Sequence, residues 1–392
     1  MASFFKWTVL ALAAVQLSAL AVTPLQPSRD DEVLEVLSAV TRNRPAGAGA
    51  TTRQTPDPAA AATAARQDIA MARQTGDTRY WGRAQAVLTS WWDRADAPTD
   101  LAVLQATVQQ GRHEFEASRK ILTSTLARTP GHAQGWLNLA ALERLSARYA
   151  ESLAACEAVA RAGQDLYATA CRLETMSLQG QHSVATQGLQ TLISQTTNPQ
   201  QRSWLLSLLA ESQERAGHDG AATLSYQRSL ELESDLYTAI AYSDLLLRTG
   251  RPAQALEALA KQPDTDAVLL RRATAWRRVG DARWTGVRTL LNERSAELLR
   301  RGDDPGLHGR EFALTALWLD DDAPQALALA RRNLLLQREP LDWWVAVQSA
   351  RQAKDPVALA DLAGAVHTAG LNDRRLTALL PATSARTAKM AK

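Results

Sequence analysis

Apolar residues recur along most of the chain with the spacing of amphipathic helices, and the helices come in pairs. The pattern runs from about residue 59 to about residue 380, with turn signals between helices. It is clearest in residues 99–164, where the sequence of one helical hairpin is repeated with a period of 34 residues. The matching positions are Ala106 and Ala140, Phe115 and Tyr149, Ser118 and Ser152, Leu122 and Cys156, and Leu126 and Ala160. Because neither hairpin can bury its apolar face alone, we expect neighbouring hairpins to stack.

The second copy contains the sequence motif of a known repeat. It opens with Trp136-Leu137-Asn138-Leu139-Ala140, its second helix starts at Tyr149, and Pro130 closes the copy before it. This arrangement resembles the tetratricopeptide repeat (TPR) family, whose first helix opens with W-x2-L-G; here Ala140 replaces the glycine. The resemblance implies an all-α fold, a right-handed superhelical solenoid of stacked antiparallel helix hairpins.

The remaining hairpins follow this pattern less closely. In the third copy the 34-residue step puts Glu174 at the small position and Ser183 at the aromatic one, and the turn glycines Gly217, Gly250 and Gly280 are 33 and 30 residues apart. The period therefore drifts, and we expect eight or nine hairpins in an irregular superhelix. The predicted organisation is a signal peptide at 1–21, a short helix and flexible linker at 22–58, the solenoid at 59–380 and a disordered tail at 381–392.

The N-terminus has the features of an export signal. One positive charge at Lys6 precedes an apolar run, and Ala19-Leu20-Ala21 gives a small-x-small cleavage pattern. We expect cleavage after Ala21 and a periplasmic or secreted protein without a membrane span; the alternative is an uncleaved N-terminal helix that anchors the chain. The chain has 44 Lys and Arg against 41 Asp and Glu, a net charge of +3, and this balance argues against a nucleic-acid surface.

Cys156 and Cys171 are the two cysteines, and they lie symmetrically about Gly163, where one helix should end and the next begin. Antiparallel helices joined there would bring the cysteines to a similar height, so an oxidising compartment allows a disulfide. The alternative is two free, small apolar side chains, with Cys171 turned toward the groove.

We find no catalytic, cofactor or metal motif of weight. His113-Glu114 lacks the second histidine of a zinc-protease helix, and nucleotide-binding glycine patterns and the serine-hydrolase elbow are absent from the sequence. Asp320, Asp321 and Asp322 could ligate calcium, but their spacing is not that of a calcium-binding loop, and helix capping is the favoured interpretation. The sequence therefore predicts a non-enzymatic protein.

The TPR resemblance implies that first helices line a concave groove that holds a segment of another protein or peptide. In two repeats the groove candidates are Gln134, Leu137, Ala141 and Arg144, and Leu270, Thr274, Arg277 and Arg278. The arginines among them could bind carboxylates in a bidentate manner.

The leading hypothesis is a periplasmic scaffold that binds another protein in cell-envelope assembly. The alternative is a carbohydrate- or lipid-handling accessory protein, in which some of the 11 Trp rings would stack on sugars. For Trp136, Trp204 and Trp276 we expect core packing instead.

Overall fold

The computed structural model describes residues 57–300 and 309–381, and within these ranges the chain forms helices and no strand. Eighteen helices form nine consecutive hairpins, and a short helix follows them. The hairpins are α1 (Pro58–Thr75) with α2 (Arg79–Leu88), α3 (Thr99–Gly111) with α4 (Phe115–Arg128), α5 (Ala133–Leu145) with α6 (Tyr149–Arg161), α7 (Asp165–Leu178) with α8 (His182–Gln195), α9 (Pro199–Arg215) with α10 (Asp219–Leu232), α11 (Leu236–Arg248) with α12 (Pro252–Leu259), α13 (Asp266–Val279) with α14 (Arg283–Arg300), α15 (Gly309–Trp318) with α16 (Ala323–Asn333), and α17 (Pro340–Gln352) with α18 (Pro356–Ala369), and the last helix is α19 (Arg374–Thr377). The predicted all-α solenoid is confirmed. The predicted signal peptide at 1–21, residues 22–56, the predicted break at 302–306 and the predicted tail from residue 382 lie outside the described residues.

The core follows the small and large positions of the repeat. Ala106 and Ala140 are fully buried, which lets first helices approach their neighbours closely. Phe115 and Tyr149 fill the space at the start of the second helices and are 7% and 4% exposed. The side chain of Ser152 is fully buried, and its hydroxyl donates to the carbonyl of Ala140 at 3.0 Å.

Each hairpin turns at one residue in the left-handed region, where φ is positive. These nine turn residues are Gly76, His113, Ala147, Gly180, Gly217, Gly250, Gly280, Asp321 and Lys354. In the third hairpin the amide of Arg148 then donates to the carbonyl of Glu143 at 2.7 Å, which satisfies an otherwise free carbonyl at the helix end. The turn residue therefore marks the register of each hairpin, whatever the length of its helices.

The superhelix closes on itself, because distant hairpins touch. The amide of Arg338 donates to the carbonyl of Leu145, and the amide of Asn372 donates to the carbonyl of Leu178, each at 2.8 Å. The start of the array is also closed: a Cβ at Gly76 would stand 2.3 Å from the side chain of Thr265. The segments that precede α17 and α19 thus pack on the ends of α5 and α7.

Candidate functional site

The two cysteines form a disulfide in the structure. Cys156 lies on α6 and Cys171 on α7, with their Cα atoms 5.7 Å apart. Both are buried and pack beside Ala140 and Leu137. The bridge therefore joins the third hairpin to the fourth, next to the inner face of the solenoid.

The first helices of five hairpins surround a partly open cavity of about 250 Å³, which we call the lumen cavity. The segment before α17 closes it on one side. The lining residues are Gln110, His113, Phe115, Ala141, Leu142, Arg144, Leu145, Glu174, Leu178, Glu211, Arg215, Tyr237, Gln337, Glu339 and Pro340.

Charged and polar side chains in the lumen cavity are held by one another. Arg144 pairs with Glu174 at 2.8 Å, and a guanidinium nitrogen of Arg144 lies 3.5 Å from the Cys171 sulfur. Arg215 approaches Glu211 at 3.4 Å, a long contact for an ion pair. The Tyr237 hydroxyl donates to the other oxygen of Glu211 at 3.0 Å.

The carboxyl group of Glu211 lies in an environment that differs strongly from water. Burial raises its pKa to about 7, and the nearby charges of Glu174 and Glu339 act in the same direction. The cation of Arg215 and the hydrogen bond from Tyr237 favour the charged form but do not cancel the effect of burial. Glu211 therefore changes its charge near neutral pH.

The closing segment is fixed by a buried carboxylate. The side chain of Asp342 is 0% exposed and accepts hydrogen bonds from Arg310 at 2.7 Å and from Asn333 at 2.6 Å. It also accepts from the backbone amide of Glu339 at 2.9 Å, and the Glu339 side chain pairs with Arg310. One wall of the lumen cavity is thus a pre-formed part of the fold.

Two residues of the first predicted groove set line this cavity. Ala141 and Arg144 line it. Gln134 is exposed and donates to the side chain of Asn138 at 2.9 Å. Leu137 is half-buried against the disulfide cluster.

Of the second predicted groove set, Leu270 and Thr274 are buried, whereas Arg277 is half-buried and Arg278 is exposed. Leu270 and Thr274 are each 1% exposed, and Leu270 belongs to a hydrophobic cluster that includes residues of α15 and α17. Arg277 pairs with Asp321, and Arg278 donates to the carbonyl of Leu247. A partner therefore cannot reach Leu270 or Thr274 in this structure, and the groove assignment of these two residues is wrong.

Most lining residues of the cavity, Tyr237 among them, were not predicted. For Glu174 and Glu211 the reason is register. Ala141, Glu174 and Glu211 each stand six residues before the turn residue of their hairpin. Counted in this way, Glu174 is equivalent to Ala141, and the small-position assignment from the 34-residue step is off by one residue. Asp244 continues the same stripe and pairs with Arg271 at 2.9 Å.

The three aspartates before α16 have structural roles. Asp322 caps α16 by accepting from the amide of Gln325 at 3.0 Å. Asp321 pairs with Arg277, and Asp320 pairs with Arg288. Within residues 57–300 and 309–381 there is no cluster of metal-ligating side chains, and no helix is long and apolar enough to cross a membrane.

The tryptophans expected in the core lie at its margin. Trp136 and Trp276 are half-buried. The Trp136 indole donates to the carbonyl of Pro130 at 2.8 Å, and Arg283 stacks on the Trp276 ring at 4.6 Å. Trp204 is half-buried and packs beside Tyr167.

A second, outer groove of about 610 Å³ lies between the third hairpin and the last two, and we call it the outer groove. Arg148, Arg331 and Arg338 rim it, and Leu335 projects into solvent with 77% exposure. The outer groove is therefore the alternative candidate surface for a partner.

No family model matches the sequence, and no curated protein matches it. Among solved structures, a Rap protein complexed with competence and sporulation factor is similar at 9% identity over 81% of this chain and 86% of that chain, with a TM-score of 0.52. A tetratricopeptide repeat protein from Parabacteroides merdae matches at 10% identity over 64% and 98%, with a TM-score of 0.37. Human IFIT1, solved as a dimer with m7Gppp-AAAA, matches at 12% identity over 76% of each chain, with a TM-score of 0.43. The fold is TPR-like.

Proposed function

We propose that this TPR-like chain is a non-enzymatic scaffold that binds a segment of another protein at the lumen cavity. The proposal rests on one observation: charged side chains line this cavity, and the cavity lies in a superhelix whose distant hairpins contact each other. The side chains of Glu174 and Glu211 are largely withdrawn from solvent, and directional contacts count for more there than at a fully solvated surface. The Rap protein of similar fold was solved in complex with a factor, which supports a binding role for such a solenoid.

The size of the lumen cavity limits what enters. Pockets for drug-sized ligands span roughly 300–1,000 Å³, and this cavity of about 250 Å³ is smaller. We infer that the partner inserts one or two side chains or a chain end, while the rest of its segment lies outside. The mutual pairing of Arg144 with Glu174, and of Tyr237 with Glu211, keeps these groups oriented for binding.

We further propose that the protein is exported and works in the cell envelope. The N-terminal sequence and the Cys156–Cys171 bridge support this location, because structural disulfides persist in oxidising compartments. Mass spectrometry of the mature protein tests it. A chain that begins at Val22 is the expected result, and a cytosolic chain that retains residues 1–21 would contradict export.

Filling the lumen cavity tests the binding proposal. Ala141→Trp places a large ring in the cavity at an exposed position, and Gln190→Trp places the same ring on the exposed face of α8. Proteins that co-purify with each form are quantified by mass spectrometry. We expect a partner that is retained by the wild type and by Gln190→Trp and is reduced at least about tenfold by Ala141→Trp, equivalent to roughly 1.4 kcal/mol. Equal retention by both variants would contradict the proposal.

A further inference from the structure

We propose that the lumen cavity recognises a primary ammonium group of the partner, which sits against Glu211 and the Tyr237 ring. This inference rests on the proposed function and names the chemistry of the same site. A lysine side chain and a chain N-terminus share this group, and the experiment below separates them.

The charges that line the cavity leave Glu211 as the least neutralised carboxylate. Glu174 is paired with Arg144 at 2.8 Å, and Glu339 is paired with Arg310. Glu211 has a phenol at 3.0 Å and a guanidinium nitrogen only at 3.4 Å. A cation that enters the cavity therefore gains most at Glu211.

Tyr237 supplies a surface for the same cation. Its side chain lines the cavity and is 60% exposed, although its hydroxyl is held by Glu211. A ring in this position can present its face to an ammonium group while the neighbouring carboxylate accepts hydrogen bonds from it. Aromatic face and carboxylate together favour an organic cation over a metal ion.

An unsatisfied buried donor adds a second requirement. The Arg215 side chain is 4% exposed and lines the cavity; its Nε donates to Ser177 at 3.1 Å, and its Nη2 has no acceptor. A buried donor without a partner costs free energy, and a ligand oxygen that reaches it would satisfy it. The α-amino group of a chain carries such an oxygen on its first carbonyl, whereas a lysine side chain does not.

The titration of Glu211 should make amine binding at this site depend on pH. The groups that face Glu211 are Arg215 on its own helix, Tyr237 on α11, Glu174 on α7, and Glu339 on the closing segment. Arg144 and His113 also line the cavity. Because burial raises the pKa of Glu211 to about 7, its ionised fraction rises about tenfold between pH 6 and pH 8. A cation that needs the carboxylate should gain affinity by the same factor.

The test is isothermal titration calorimetry of the full mature chain with three probes: n-butylammonium, glycinamide and neutral n-butanol. We expect n-butylammonium to bind about tenfold more tightly at pH 8 than at pH 6. Glycinamide should gain only about fourfold, because its α-amino group, with a pKa near 8, is about half deprotonated at pH 8. n-Butanol should not bind, and the two amines are compared with each other at about pH 7, where both are largely protonated. Tighter binding of glycinamide identifies a chain N-terminus as the source, and tighter binding of n-butylammonium identifies a lysine side chain. Failure of both amines to bind at pH 8 would overturn the proposal.

Variants confirm the position of the site. Glu211→Gln should weaken amine binding at least about tenfold at pH 8 and remove its pH dependence. Tyr237→Ala should weaken it about threefold. Glu157→Gln, on the exposed face of α6, is the matched control and should bind like the wild type. Circular dichroism verifies that each variant is folded, and unchanged amine affinity in a folded Glu211→Gln protein would place the site elsewhere.

The two proposals fail in different ways. If Ala141→Trp loses the protein partner but no amine binds, the scaffold stands and the ammonium chemistry is wrong. If the amines bind at Glu211 but Ala141→Trp retains every partner, the cavity is a cation site and the scaffold function fails.

Discussion

Glu214 and Arg375 are separated by 161 positions in the sequence, and their side chains form an ion pair at 2.6 Å. Glu214 stands near the end of α9, and Arg375 is in α19, the last helix of the described chain. The Glu214 carboxylate is 7% exposed and also receives a bond from the Tyr226 hydroxyl at 3.2 Å. This pair fastens α19 to the middle of the array, so the solenoid over the described residues is a closed body rather than an open ribbon.

Loss of this fastening should destabilise the protein. Arg375→Ala leaves the carboxylates of Asp373 and Glu214 buried without one of their cations, and removal of one partner of a buried pair costs about 3 kcal/mol. Urea unfolding should show this loss, and hydrogen exchange should rise in α19 and α9. The matched control is Arg79→Ala, whose ion pair with Asp77 is on the surface. It should leave stability close to that of the wild type, because an exposed ion pair contributes little, and an equal loss in both variants would show that Arg375 has no special role.

Removal of the disulfide should have a predictable cost. The bridge closes a loop of 15 residues, and a constraint of this length stabilises by about 3 kcal/mol in the chain-entropy model. We expect the double variant Cys156→Ala, Cys171→Ala to lose this amount in urea unfolding. Reductant should destabilise the wild type similarly and leave the double variant unchanged. A wild-type protein indifferent to reductant would mean that the bridge contributes nothing to stability.

Two adjacent alanines on α5 should respond oppositely to enlargement. Ala140 is fully buried beside the disulfide, and Ala140→Leu should overpack the core and cost about 2 kcal/mol. Ala141 faces the lumen cavity, so Ala141→Leu should leave stability within about 0.5 kcal/mol. Thermal unfolding of the pair measures the difference. A larger loss in Ala141→Leu than in Ala140→Leu would place the inner face of α5 one residue away.

The raised pKa of Glu211 should make stability fall as pH rises. The folded state holds a proton up to about pH 7, whereas the unfolded carboxyl loses it near its ordinary pKa of 4.5. The stabilisation is complete below pH 4.5 and is lost as pH rises through 7. Between pH 5 and pH 8 the wild type should lose about 2 kcal/mol more than Glu211→Gln. Urea midpoints measured at both pH values test this, and parallel curves for the two proteins would refute the role of Glu211.

The repeated hairpin and its core could be predicted from the sequence, because burial of Ala106, Ala140, Phe115 and Tyr149 follows from local periodicity. The same periodicity predicted the inner face correctly only where the period held. At α13 the sequence could not show that later hairpins would cover Leu270, because that contact depends on how the superhelix curves.

The lumen cavity itself required long-range information. Glu174 and Glu211 lie in register with Ala141 only when positions are counted back from the turn residues. A turn residue can be recognised in the sequence where it is a glycine, as at Gly180 and Gly217. At Ala147 the left-handed turn residue is an alanine, which offers no such signal. The closing wall comes from a segment nearly 200 positions after Ala141, and nothing in the local pattern predicts that approach.

Photo-crosslinking from inside the lumen cavity in living cells tests most directly whether the partner binds there. A photoreactive amino acid is placed at Ala141, at Leu335 in the outer groove, and at Gln190 on the face of α8, and adducts are identified by mass spectrometry. We expect a discrete adduct with one partner protein at Ala141 and none at Gln190. Adducts at Leu335 with none at Ala141 would show that the partner binds in the outer groove, and would contradict a lumen binding site.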